Sequence, residues 1–147
     1  NDYGQAIAFR EGLRRELEPL GQWPPSLANA LAAAYVNRGV AYDAQGRLGE
    51  AVNDYGQAIE LIYSLVFQAH FSPAIPDLAM VFFNLLLLCH NQPEIGRKHL
   101  PAGLQRAREF LVKLPQVVNI EDLPDSWRKK LTDLEGLIEH ITKGGKG

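Results

Sequence analysis

The sequence has little cysteine and little net charge, and each shortage excludes a class of protein. Cys89 is the single cysteine among 147 residues, so an internal disulfide is excluded. The 15 basic and 17 acidic residues leave a net charge of −2. This balance gives no electrostatic reason to expect a nucleic acid or an anionic membrane as partner. We expect one globular domain of ordinary composition, located in the cytoplasm.

Long apolar runs and strand-like alternation are also missing. The most apolar run, residues 78–90, contains Asn84 in its middle and is shorter than the ~20 residues that span a bilayer. It therefore predicts a buried helix and not a membrane segment. No secretory signal opens the chain. Because the first helix reads as the second half of a hairpin, we expect further residues before Asn1.

Apolar residues recur at three- and four-residue intervals, and prolines and glycines mark the ends of the resulting helices. The pattern predicts an all-α fold with about six helices and no strands. The predicted helices cover residues 1–18, 26–45, 48–70, 75–90, 101–114 and 125–143. Residues 91–96 are expected to be an irregular connection, and residues 144–147 a disordered tail. On the first helix, Glu11 is expected to pair with Arg15 on a solvated face.

A heptapeptide, NDYGQAI, occurs twice. It fills residues 1–7 and recurs without change at residues 53–59, 52 residues later. A chance match of seven identical residues within so short a chain is very improbable, so the repeat indicates a duplication. Repetition at this scale is typical of stacked helical-repeat proteins.

The second copy lies within a pattern of small and aromatic residues at fixed spacing. Tyr35 is followed four residues later by Gly39 and three further on by Tyr42, and Ala51 opens the next helix before Tyr55. Small residues let two antiparallel helices approach closely, and the tyrosines fill the space beside them. Ala58, Gly46 and Leu48 also match, and the segment, about residues 32–63, resembles the tetratricopeptide repeat.

The resemblance implies antiparallel helical hairpins stacked as an α-α superhelix in a single domain, residues 1–143. A half hairpin would occupy residues 1–18, a complete hairpin residues 26–70, a degenerate hairpin residues 75–114, and a capping helix residues 125–143. Leu86 stands where the complete hairpin has Gly39, and extra residues follow around 93–99, so we expect the degenerate hairpin to be wider. The family repeats after about 34 residues. The longer offset here predicts extended second helices and an irregular array. Arg38 stands where the family commonly has leucine, and we expect it to reach Asp54 on the partner helix.

Residues for catalysis are not grouped along the sequence. The four histidines are scattered, no glycine-rich phosphate loop follows a strand, and Cys89 and His90 are adjacent and so point in different directions on a helix. We predict no enzyme activity, no metal site and no cofactor.

The resemblance instead implies a protein-interaction module, because in this family the first helix of each hairpin lines a concave groove. The predicted groove residues are Ala33, Asn37, Val40 and Asp43, followed by Met80, Asn84 and Leu87. Asn37 and Asn84 match a family position where asparagine often bonds a ligand backbone. Lysines that would clamp a terminal carboxylate are absent from these faces. The expected partner is a peptide or another protein, with self-association of a scaffold segment as the alternative.

Overall fold

The computed structural model describes residues 2–144, and it is helical, with no strand in that range. This confirms the predicted all-α fold with six helices. The helices are α1 (Asp2–Leu17), α2 (Pro25–Ala44), α3 (Leu48–Phe67), α4 (Ile75–Asn91), α5 (Pro93–Lys113) and α6 (Asp125–Gly144). The chain forms two compact units, Asn1–Ala74 and Ile75–Gly147, and each is described by itself. The single-domain prediction stays a prediction.

In the N-terminal unit, α2 packs against both α1 and α3, and proline and glycine set the helix ends. Helix α1 gives way to a 3-10 turn at Glu18–Leu20, because Pro19 disfavours the α conformation in the residue before it. Pro25 occupies the first position of α2. A backbone N–H at this position has no acceptor within the helix, so proline, which lacks it, loses no hydrogen bond there. Between α2 and α3, Gly46 adopts a φ of 74°, which a side chain would oppose.

Helix α3 is extended, as predicted, although it ends three residues before the predicted position. It covers 20 residues, Leu48–Phe67. His70 follows with a φ of 53°, a left-handed conformation that stops the helix. The apolar positions of α3 form its buried side and supply much of the core of this unit.

The predicted irregular connection at residues 91–96 is wrong, because α5 begins at Pro93 and includes Pro101. A single residue, Gln92, separates α4 from α5. Pro93 suits the first helical position, and Gly96 allows a close approach: a Cβ on Gly96 would lie 2.2 Å from the carbonyl oxygen of Cys89. The α4–α5 hairpin is therefore tight, and the wider hairpin expected from the extra residues is also wrong.

The C-terminal unit reverses the small-residue arrangement of the first hairpin. Leu86, at the position of Gly39, is fully buried, and the small residues lie on α5 instead. A Cβ on Gly103 would lie 3.2 Å from Leu86 Cδ2, and Ala107 and Phe110 continue the buried side of α5. Phe110 stacks on Phe82, with ring centroids 5.7 Å apart. The two helices α4 and α5 still approach closely, because the small residue lies on α5 and the large one on α4.

Helix α6 packs against α4 through one apolar side. The buried residues are Leu131, Leu134, Leu137, Ile138 and Ile141, while the charged residues face outward. Gly144, expected in the disordered tail, is the last residue of α6, and residues 145–147 of that prediction lie outside the described residues.

One stretch within residues 2–144 is long and apolar enough to cross a membrane, judged by length and composition alone. It is Ser72–Asn91, with a mean hydropathy of 1.7 in its most apolar window, of which 61% is buried inside the structure. The helix and its preceding turn together exceed the apolar run at 78–90. Core helices of water-soluble proteins share these properties, so the evidence for a membrane segment is weak. The absence of a membrane partner stays a prediction.

Candidate partner-binding surface

The α2–α3 hairpin is held together by close contact between small and aromatic residues. Tyr55 lies against Gly39, where an added Cβ would be 2.9 Å from the Cδ1 and Cε1 atoms of the tyrosine ring. Ala51 and Ala58 are fully buried on the same side of α3. Glycine and alanine at these positions bring the two backbones together, and the buried ring of Tyr55 fills the space beside them.

A charged pair fixes the two helices against each other. Arg38 donates two hydrogen bonds to Asp54, from Nε to Oδ2 at 2.7 Å and from Nη2 to Oδ1 at 2.9 Å. The Asp54 side chain is only 1% exposed and that of Arg38 is 21% exposed. The guanidinium also lies 5.8 Å from the ring centroid of Tyr35 and 5.5 Å from that of Tyr42. The predicted contact between Arg38 and Asp54 is confirmed, and it fixes which side of α2 faces α3.

A second polar contact attaches α1 to α2. The hydroxyl of Tyr35 donates to Glu11 Oε2 at 2.6 Å. Burial, followed by the hydrogen bond to the Glu11 carboxylate, raises the pKa of Tyr35 to about 12. The sequence prediction that Glu11 pairs with Arg15 is wrong. Glu11 Oε1 lies 3.6 Å from Arg14 Nη1, and Glu11 Oε2 accepts the hydrogen bond from Tyr35 that links α1 to α2.

With its other side committed to α1 and α3, helix α2 leaves one side open. Ala33, Asn37 and Val40 are exposed, and Asp43 is half-buried. The intervals of four, three and three residues align them along the helix. Burial is the larger cause, and the negative charge of Asp43 the smaller one, that raise the pKa of Tyr55 on α3 to about 12. Asp43 therefore lies at the edge of this side of α2 that is nearest α3. The structure thus brings these four predicted residues together on one accessible helix surface.

The other three predicted residues lie on α4, in the C-terminal unit. Met80 and Asn84 are half-buried, and Leu87 is exposed. Their spacing of four and three residues again places them on one side of a helix. The two sets lie in different units, α2 in the first and α4 in the second, and their use by one partner is a prediction.

In the described part of the chain, no group of three or more histidine, cysteine or acidic residues is placed to hold a metal ion. Burial raises the pKa of Cys89 to about 11, which leaves it a neutral thiol at physiological pH. The α2 surface offers an amide, a small apolar patch and a carboxylate, which suit hydrogen bonding and packing.

Sequence reasoning missed a cleft of about 420 Å³ in the N-terminal unit. Its walls include Arg14 and Glu18 from α1, Trp23 from the connection, and Gln57 and Glu60 from α3. These residues come from three separated segments, so no local pattern joins them. A tryptophan within the proline-rich connection at residues 18–26 is the one available signal.

Comparison with known proteins identifies the central hairpin. The family model for the tetratricopeptide repeat matches residues 32–62, which contain most of α2 and the first three-quarters of α3. No curated protein and no solved structure gives a significant match to the chain. The match covers the hairpin whose spacing carried the resemblance, and the flanking helices are described by the structure alone.

Proposed function

We propose that this chain is a non-enzymatic protein-interaction module that binds a peptide or partner protein along the open side of α2. A tetratricopeptide repeat is in general a protein-interaction module, and one matches residues 32–62. The observation that carries the finer assignment is the single accessible line of Ala33, Asn37, Val40 and Asp43 on a helix fixed on its other sides. The proposed setting is the cytoplasm, without nucleic acid, membrane or cofactor.

Each residue of this line has a distinct part in binding. Ala33 projects little from the helix, so a partner backbone can approach it closely. Asn37 supplies both a donor and an acceptor for a partner's main chain. Val40 adds exposed apolar surface, and the Asp43 carboxylate favours a basic residue on the partner. The surface lacks lysine, which argues against a clamp for an acidic C-terminus.

Rigidity of α2 supports the proposal energetically. The charged pair between Arg38 and Asp54 and the contact of Tyr35 with Glu11 hold the helix before any partner arrives. A preformed surface loses less conformational entropy on binding than one that must order. The second surface, Met80, Asn84 and Leu87 on α4, is proposed as an additional contact for the same partner.

The test begins with selection from a phage-displayed library of random peptides on the immobilised chain. Selected peptides are then titrated by fluorescence anisotropy against wild type and the variant Asn37→Ala/Val40→Glu/Asp43→Lys. We expect the variant to weaken binding by at least about tenfold. The matched control, Asn53→Ala/Gln57→Ala, changes exposed residues of α3 and should bind as wild type does. Equal binding by wild type and the α2 variant, with unchanged helicity, would contradict the assignment.

Self-association is the second candidate function. Exposed large apolar side chains favour it, among them Phe9 and Leu20 in the N-terminal unit and Val112 in the C-terminal unit. Light scattering over a range of concentrations tests it. A molar mass that stays at 16.3 kDa would exclude self-association.

A further inference from the structure

The cleft of about 420 Å³ in the N-terminal unit lies apart from the predicted partner-binding residues of α2. Helix α2 contributes Pro25 and Ala28, near its first residue, whereas the partner-binding residues begin at Ala33. Most of the lining comes from α3, at Gln57, Glu60, Leu61, Ser64 and Leu65. The volume falls within the ~300–1,000 Å³ of typical ligand sites. The cleft is therefore a second candidate site with its own residues.

This cleft combines an apolar interior with a polar rim. Ala28, Leu61 and Leu65 line it and are buried, so they form its inner surface. Glu18 and Glu60 also line it, but both residues are exposed to solvent. A ligand that fits both parts carries an apolar stem and a polar head.

Trp23 lines the same cleft from the connection between α1 and α2, and the backbone around it is fixed. The N–H of Gly21 donates to the Glu18 carbonyl oxygen at 3.0 Å, and Gly21 adopts a φ of 68°. Pro24 and Pro25 follow the tryptophan, and their rings restrict φ. The half-buried Trp23 is therefore held at the cleft before any ligand arrives, which lowers the entropy cost of binding.

The charges of the lining favour a cation. Among the described lining residues, Arg14 carries the single positive charge, against the two carboxylates of Glu18 and Glu60. Arg14 Nε donates to Glu18 Oε2 at 3.2 Å, and Arg14 Nη1 lies 3.6 Å from Glu11 Oε1. An anion would have to displace one of these carboxylates from Arg14. A cation needs no displacement, because a carboxylate has about four acceptor positions and can accept from a second donor.

We propose that this cleft binds an arginine side chain of a partner protein. The aliphatic stem of the arginine packs on Leu61, Leu65 and Trp23, and its guanidinium pairs with Glu18 and Glu60. A guanidinium stacks on tryptophan and offers five N–H donors to the two carboxylates. It is also more weakly hydrated than the ammonium group of lysine, so it leaves water more readily. The inference goes beyond the proposed function and does not depend on binding along α2.

The test titrates the capped amino acid acetyl-arginine amide into the Trp127→Phe chain, in which Trp23 is the single tryptophan. The caps remove the charges of a free amino acid, so this probe presents the side chain as a protein does. We expect a saturable change in the fluorescence of Trp23, with a dissociation constant of about 0.1–1 mM for a ligand of this size. Acetyl-citrulline amide has nearly the same shape without the charge, and it should bind at least about fivefold more weakly.

Matched charge variants in the same background locate the bound probe. Glu18→Gln/Glu60→Gln removes the two carboxylates of the cleft and should weaken binding by at least about fivefold. Glu16→Gln/Glu50→Gln changes the net charge equally at exposed positions outside the cleft, and it should bind the probe as the parent chain does. Asp43→Asn, on the open side of α2, should also leave binding unchanged. Circular dichroism checks that each variant remains helical.

Four results would overturn the inference. The arginine and citrulline probes could bind equally, which would show that charge has no part in recognition. The parent chain and Glu18→Gln/Glu60→Gln could bind the arginine probe equally, which would place the cation elsewhere. The fluorescence could show no saturable change up to about 10 mM probe. Finally, acetyl-glutamate amide could bind more tightly than the arginine probe, which would make Arg14 the binding group and an anion the ligand.

Discussion

The buried pair between Arg38 and Asp54 gives the sharpest prediction for stability. Replacing Arg38 by methionine keeps much of the side chain's packing but leaves the Asp54 carboxylate, 1% exposed, without its cation. Breaking a buried pair in this way costs about 3–5 kcal/mol. Because Arg38 is itself 21% exposed, water reaches the site, and we expect the lower end, about 3 kcal/mol. That is a large part of the ~5–15 kcal/mol that stabilises a typical protein.

The chain contains its own control for this change. Arg47 binds Glu50 through two similar hydrogen bonds of 2.8 and 2.6 Å, but both side chains are 50% exposed. Replacing Arg47 by glutamine should therefore cost less than about 1 kcal/mol. The comparison isolates burial, since the two pairs share their hydrogen-bond geometry.

Urea denaturation followed by the fluorescence of Trp23 measures the effect in the N-terminal unit, with Trp127→Phe as the common background. The double variant Arg38→Met/Asp54→Leu should recover most of the loss, because no charge then remains buried. A cost for Arg38→Met equal to that for Arg47→Gln would contradict a penalty from the buried, unpaired carboxylate. A double variant as unstable as the sum of its single changes would contradict it as well.

Three further predictions concern the packing and titration of single residues. Gly39→Ala should destabilise by about 1–2 kcal/mol in urea melts because its Cβ meets the ring of Tyr55, whereas Gly56→Ala, with open space around its Cβ, should stabilise by about 0.5–1 kcal/mol. Equal effects of the two changes would contradict the close approach. Burial raises the pKa of Asp77, so the folded state favours its protonated form. Wild type should therefore gain stability relative to Asp77→Asn as pH falls from neutral, and parallel profiles of stability against pH for the two proteins would contradict this. The pKa of Tyr35 is raised from 10.0 to about 12, so the stability that this shift contributes is complete below pH 10 and lost as pH rises towards 12. Tyr35→Phe should therefore lose less stability than wild type at alkaline pH in pH-dependent melts, and an equal loss in both proteins would contradict the assignment.

Much of the first hairpin was predictable because its determinants are local. Proline and glycine set the ends of α1 and α2, and the interval from Tyr35 to Gly39 and Tyr42 specified the side on which α3 packs. The contact between Arg38 and Asp54 followed from those positions, since an arginine on the buried side needs a carboxylate opposite. The contact of Tyr35 with Glu11 was not predictable, because it depends on how α1 crosses α2.

The second hairpin shows where local rules fail. Pro101 suggested a helix start, yet α5 continues through it, because Gly103, Ala107 and Phe110 are buried on its inner side and packing outweighs the lost hydrogen bond. Leu86 in place of a glycine suggested a wider hairpin. The structure has the glycine on the other helix, at Gly103, which a pattern anchored on the first helix does not register.

Chemical-shift mapping shows directly whether a partner binds along the open side of α2. An isotope-labelled chain is titrated with a peptide selected from the random library, and backbone amide shifts are followed residue by residue. Binding along this side predicts that the largest changes fall at Ala33, Asn37, Val40 and Asp43, with smaller changes on the outer side of α3. Largest changes on α6, or on α3 around Asn53 and Gln57, with α2 unaffected, would contradict it.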